Sequence, residues 1–302
     1  MDKITMINEI NRLKKEKNAV ILAHYYQDGD IQDVADYTGD SLYLSQIASE
    51  TDKDVIVFAG VHFMAETAKI LSPMKKVLLP VKEAGCPMAD MVTYAKLKKY
   101  KRENPERVIV CYVNSTAKVK ALSDVCVTSS NAEKVIKHYQ DKPLMYVPDK
   151  NLGTYLKDKY DLDMEVWPGF CCIHNNLNLK IVNEMKSLHK NASFIVHPEA
   201  PLDVVKAADF AGSTKGLLNH VINSDLNEFI VGTEEGILHQ MKKACPNKIF
   251  HILTPDLRCY DMKLTTLEDV YLALKEDQFE VNVEEDIRTK AFIALDTMMK
   301  LS

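Results

Sequence analysis

The chain has 302 residues and 34.2 kDa, room for two or three small domains, and its 46% hydrophobic content can fill a sizeable core. With 27% charged residues, 38 Lys+Arg against 43 Asp+Glu and a formal charge of -5, it matches neither a disordered chain nor a protein with a basic nucleic-acid groove. No window approaches the roughly 18 consecutive apolar residues of a membrane span, and the start of the chain lacks the apolar run of a signal peptide. The sequence therefore reads as cytoplasmic, with no membrane and no nucleic acid among its partners.

The elements recur in step along the chain. A buried-strand run at Ala19 to Ala23 ends in His24-Tyr25-Tyr26, and a helix-like stretch leads to Gly39-Asp40-Ser41. A second run at Val55 to Phe58, a further helix and a third run at Val77 to Pro80 precede Cys86. The next unit repeats the order with Val108 to Val113, Tyr112-Val113-Asn114, Thr128-Ser129-Ser130-Asn131, Leu144 to Val147, Met164 to Trp167 and Cys171. The third has Ser193 to Val196, His197-Pro198-Glu199, Gly212-Ser213-Thr214, Phe229 to Val231, Ile249 to Leu253 and Cys259. His24 to Ser41, Tyr112 to Ser129 and His197 to Thr214 are each 17 positions apart, and hydroxyl to cysteine is 45, 42 and 45. Any α/β chain alternates strands and helices, but alternation alone does not keep strand ends, hydroxyls and cysteines in one phase.

We therefore expect three similar α/β/α domains with parallel sheets, roughly 1–86, 87–171 and 172–260, arranged around a shared central site. The last 42 residues, 261–302, read as paired helices, Leu267 to Asp277 and Glu284 to Met299, that join the body beside the first unit. In the second of these, Ile287, Ala291, Phe292, Leu295 and Met299 fall on one face.

Seven cysteines make an odd number for a reducing compartment and point to metal or catalytic thiols over disulfides. Ten glycines are too few for a chain built on glycine-rich nucleotide loops, and neither dinucleotide nor P-loop fingerprint occurs. Ligands of open parallel sheets gather at the carboxyl ends of strands, where the three phased cysteines could meet. Three thiolates with one position open suit a catalytic zinc or a [4Fe–4S] cluster, and the lack of paired C-x-x-C knuckles tilts towards iron. Cys111, Cys126 and Cys245 read as incidental small hydrophobes. Cys171 and Cys172 fit the repeat phase almost equally.

Several of these segments together resemble one family. They are Ala23-His24-Tyr25-Tyr26-Gln27 with Gly39-Asp40-Ser41, Ala84-Gly85-Cys86-Pro87-Met88-Ala89-Asp90, Trp167-Pro168-Gly169-Phe170-Cys171 with His174, His197-Pro198-Glu199, Gly212-Ser213-Thr214, and Cys259 with Met262-Lys263 and Thr266-Leu267. The chain is similar over nearly its whole length to quinolinate synthase, the A protein of bacterial NAD biosynthesis. That resemblance implies three pseudo-symmetric domains around a [4Fe–4S] cluster held by Cys86, Cys171 and Cys259, with Cys172 a bystander. Asp261 stands where many relatives carry Asn.

The resemblance further implies condensation of iminoaspartate with dihydroxyacetone phosphate to quinolinate, phosphate and water. It admits transient contact with the aspartate-oxidising enzyme that supplies the first substrate. His24, Tyr26, His197 and Glu199 are then the proton-transfer candidates. Substrate would be bound by His24, Ser41, Tyr112, Asn114, Ser129, His197, Glu199 and Thr214, the hydroxyls working with helix-start amides. His174 would hydrogen-bond near Cys171, and Glu66 reads as capping a solvated side rather than facing the centre. His62, His138, His189, His220, His239 and His251 carry no comparable signal. A hydro-lyase with the same cluster but another hydroxyacid is the enzymatic alternative. An iron–sulfur sensor would be expected to show an effector module and a basic face, and neither is visible.

Overall fold

The computed structural model describes residues 1–302. It contains twelve strands in three four-stranded sheets, all parallel. The first sheet holds β1 (Ala19–His24), β2 (Tyr37–Gly39), β3 (Val55–Ala59) and β4 (Lys76–Leu78). The second holds β5 (Val108–Tyr112), β6 (Val125–Val127), β7 (Leu144–Val147) and β8 (Met164–Val166), and the third β9 (Ser193–Val196), β10 (Phe210–Ala211), β11 (Glu228–Gly232) and β12 (Ile249–Ile252). Each sheet has the same spatial order, with its second strand at one edge, then first, third and fourth. The runs β1, β3, β7 and β9 are buried at every position, as expected of strands covered by helices on both faces.

The short edge strands β2, β6 and β10 are elements that the sequence pattern does not reveal. One hydrogen-bond motif, repeated three times, creates them. The Asp36 carboxylate accepts the N–H of Ile21, Asp124 that of Ile109 and Asp209 that of Phe194, at 2.7–2.8 Å and always 15 residues apart. The aspartate N–H returns a bond to the carbonyl of the same strand residue, at 2.8–3.0 Å. A lysine from the preceding helix meets each carboxylate: Lys14 on Asp36, Lys101 on Asp124 and Lys186 on Asp209. This pinning fixes the 17-residue interval between first-strand end and hydroxyl.

The two carboxyl-terminal helices part company. Leu267–Glu276 buries Val270, Ala273 and Leu274 against Met6, Ile10 and Leu13 of the amino-terminal helix Lys3–Glu16, within the first unit. Glu285–Leu301 instead lies across β6, Ala117–Lys120 and His62–Leu71, so it ties the first unit to the second. Its buried stripe is Ala291, Ala294, Leu295 and Met298. Phe292, expected on that face, is 37% exposed because the stripe turns towards the 294/298 side. No helix is long and apolar enough to cross a membrane.

Replacing Asp36 by Ala leaves the Ile21 N–H without its carboxylate. We expect a loss of about 1–3 kcal/mol, seen as a fall of a few degrees in the thermal unfolding midpoint. An unchanged midpoint would show that the pinning bond does not stabilise the sheet.

Candidate active site

A cavity of about 290 Å³ opens where the three sheets present their carboxyl ends, lined by residues of all three units. The first strands deliver His24 and Tyr26, Tyr112 and Asn114, and His197 and Glu199. Ser41 and Thr214 are the first residues of the helices Ser41–Glu50 and Thr214–Asn223, and Ser129 lies in the turn before Ala132–His138. Cys86, Cys171 and Cys259, each following the fourth strand of its sheet, line the same cavity. Cys172 lines it too, whereas Cys111 and Cys126 are buried on adjacent strands and Cys245 closes the helix Ile237–Ala244.

One hydrogen-bond chain runs through this wall. Tyr112 Oη donates to Glu199 Oε1 at 2.6 Å, and Glu199 Oε2 lies 2.9 Å from His174 Nδ1. His174 Nε2 is 3.0 Å from Thr233 Oγ1, which is 2.9 Å from Tyr26 Oη, itself 2.9 Å from Thr214 Oγ1. Burial raises the Glu199 carboxyl, but His197, the hydrogen bond from His174 and that from Tyr112 outweigh it and hold the group ionised, below the usual carboxylate range. An ionised carboxylate only accepts, so His174 Nδ1 donates to Glu199. Thr233, Tyr26 and Thr214 continue the chain from His174 Nε2 through hydroxyls that can each donate or accept. His174, expected near Cys171, is 3.2 Å from that sulfur and is also the middle of this chain. Thr233, fully buried, is a residue the sequence did not single out.

The two strand-end histidines repeat one local device. His24 Nδ1 accepts the N–H of Tyr26 at 3.1 Å, and His197 Nδ1 that of Glu199 at 3.3 Å. Each ring therefore carries its proton on Nε2. Burial drives His24 down to about 3 and His197 to about 4, so both are neutral donors near pH 7. The Asn114 Oδ1 atom is buried without a hydrogen-bond partner, and a group in the cavity would satisfy it. Glu66 lies outside the cavity wall. Its Oε2 accepts the N–H of Ala117 at 2.9 Å, linking the first unit to the second instead of capping a solvated side.

No lysine or arginine lines the cavity. Burial pushes the Cys86 and Cys259 thiols up to about 12, and Cys171 well above the ordinary thiol range. Such thiols become thiolates when a metal displaces their protons. One possible ligand group is compact: Cys171, His174 and Glu199 offer atoms within 4.8 Å of one another and could hold a metal.

Comparison with known proteins places this architecture. The family model described as quinolinate synthetase A protein matches residues 8–300. The chain belongs to that family. It is 50% identical to a quinolinate synthase of Alkaliphilus metalliredigens over 302 residues, all of both chains. It is 48% identical to one of Clostridium perfringens over 295 residues, 97% of this chain and 98% of the relative. A quinolinate synthase of Clostridium kluyveri is likewise 48% identical over 302 residues, the whole of both.

The buried histidines set a pH dependence. Unfolded, each takes a proton near the ordinary value of 6.5, while in the folded chain it stays neutral to about 3 for His24 and 4 for His197. Their contribution is therefore fully present above pH 6.5 and is lost as pH falls towards 4, because the unfolded state binds protons that the native state refuses. A His24→Gln, His197→Gln double variant should show a flatter stability profile over that window in chemical denaturation. The same slope as the parent would contradict the assignment of neutral, buried rings.

Proposed function

We propose that this chain is a quinolinate synthase of NAD biosynthesis, condensing iminoaspartate with dihydroxyacetone phosphate to quinolinate with release of phosphate and water. In this reading Cys86, Cys171 and Cys259 hold a [4Fe–4S] cluster, in a cytoplasmic enzyme acting on small molecules. One observation carries it: three half-buried thiols, one from each unit, share a cavity with strand-end donors and no cationic side chain. Substrates bearing carboxylates and a phosphate need donors there, and helix N-termini, hydroxyls and one open iron acting as a local Lewis acid would supply them. Cys86, Cys171 and Cys259 would hold such a cluster through three soft donors and leave one iron without a protein ligand; when bound it would offer Lewis-acid assistance to loss of water without a change of redox state.

The chain's own residues divide the remaining work. Ser41, Ser129 and Thr214 offer hydroxyls, two of them at helix starts, to the carboxylates and phosphate. Tyr112 and Asn114 orient the dicarboxylate substrate, whose imine or enamine N–H can donate to the unpartnered Asn114 Oδ1. His24 and His197 donate from Nε2 without adding charge. Enamine formation, isomerisation and dehydration all move protons, and the chain from Tyr26 to Glu199 fixes the groups that face them: burial keeps Tyr26 protonated at one end, and Glu199 stays ionised as an acceptor at the other.

Anaerobic incubation of the iron-loaded chain with dihydroxyacetone phosphate and freshly generated iminoaspartate should yield quinolinate. Cys86→Ser, Cys171→Ser or Cys259→Ser should each abolish the product and impair cluster assembly, while Cys172→Ser should retain both. No quinolinate from a fully iron-loaded chain would refute the activity, and loss with Cys172→Ser but not Cys171→Ser would reverse the ligand assignment. Thr233→Val cuts the hydrogen-bond link between Tyr26 and His174 while keeping the shape of the side chain. We expect kcat to fall on the order of a hundredfold with KM little changed. An unaltered kcat would show that Thr233 does not position Tyr26 and His174 for the reaction.

A further inference from the structure

Two buried carboxylates reach the backbone of the cysteine loops from one structural place. Asp149 follows β7 and accepts the Cys171 N–H at 3.3 Å; Glu234 follows β11 and accepts the Cys259 N–H at 3.1 Å. Both are fully buried. The first unit has Val61 at the corresponding position after β3, which offers no acceptor.

The third-unit carboxylate does more than its counterpart. Glu234 Oε2 also takes the Gly236 N–H at 2.7 Å, and its Oε1 lies 3.2 Å from the ammonium of Lys263, whose side chain is 5% exposed. That ammonium donates to the carbonyl of Tyr26 at 2.6 Å and reaches Asp28 at 3.5 Å. Close approach of the two units is built into the turn, since a Cβ on Gly236 would stand 2.7 Å from the Tyr25 carbonyl and 2.8 Å from Tyr26 Cα. The Gln27 amide adds a parallel link, donating to the Met262 carbonyl at 2.8 Å.

We infer that Glu234 and Lys263 form a strut that sets the Cys259 loop and the Tyr26 strand end at a fixed distance, making both positioning residues for the reaction proposed above. The strut rests on that reading for its purpose, but its geometry stands without it. Glu234 joins the Cys259 amide to Lys263, and Lys263 joins Glu234 to Tyr26. Removing either end releases the same link. A buried ammonium or carboxylate left without its partner also repels the arrangement that remains. Asp149 holds Cys171 in a similar way but has no lysine bridging to another unit.

A double-mutant cycle tests this on the full chain, loaded anaerobically with iron and sulfide. Glu234→Gln, Lys263→Met and the double variant are compared with the parent for iron loss to a ferrous chelator, and for kcat and KM. Charge-assisted hydrogen bonds of this kind correspond to iron loss on the order of ten- to a hundredfold faster in either single variant. The double variant should be no worse than the poorer single one, because both changes break one connection. Lys263→Arg should restore slow iron release and a near-parental kcat, and KM should vary little across the set. Additive effects, or single variants that hold iron as the parent does, would overturn the strut. A parent chain that binds no iron would overturn the cluster reading instead. The cycle is then read in thermal stability, where coupled losses support the strut and additive ones refute it.

Discussion

Crowding three half-buried thiols at one spot is costly for a protein that means to use them as thiolates, because a medium of low polarity favours the neutral form. The walls around Cys86, Cys171 and Cys259 offer no lysine or arginine to offset that cost. The positive charge has to arrive with what binds there, and most of the architecture can be read as holding three loops ready for it. Phosphate and carboxylate groups would meet the same shortage of cations, which is why helix starts and hydroxyls, not basic side chains, face the cavity.

Threefold repetition is the means of bringing such loops together. Each sheet is built in the same order and braced by the same aspartate–strand–lysine motif, so three first strands end at comparable heights around one space. On this common frame the strand ends diverge. His24 with Tyr26, Tyr112 with Asn114, and His197 with Glu199 occupy equivalent places yet supply different chemistry. The hydrogen-bond chain from Thr214 to Glu199 depends on that divergence, because it draws Tyr26 from the first unit and its remaining members from beyond the second unit's strands. Helix Glu285–Leu301 and the Glu66–Ala117 bond then tie first unit to second, so the scaffold is a closed ring of contacts and not three beads on a string.

Much of this was legible in the residues because repetition amplifies weak signals. One histidine after a strand says little, but three polar strand ends at one interval from three hydroxyls point to a shared site. The aspartates that cause the interval were equally legible, since Asp36, Asp124 and Asp209 each stand five residues before the hydroxyl. The edge strands they create span two or three residues, too short for any periodicity to appear. Thr233 escaped because its counterparts are Gly60 and Pro148, which share no chemistry with it. Glu234 escaped for a related reason, since Val61 breaks the pattern in the first unit. Lys263, though part of a segment that carries the resemblance, has no role legible there because a link between units leaves no local trace. Phe292 was misplaced because helical periodicity gives a face only to within one neighbouring row, and packing against β6 chose Ala294 and Met298.

The central claim is that three units jointly bind one cluster with an open iron, and Mössbauer spectroscopy of the chain reconstituted anaerobically with 57Fe addresses it most directly. We expect a cubane spectrum in which about one iron in four differs from the rest and changes on addition of a dicarboxylate substrate analogue. A spectrum of isolated mononuclear iron, or a cubane whose four irons are all insensitive to the analogue, would contradict the account.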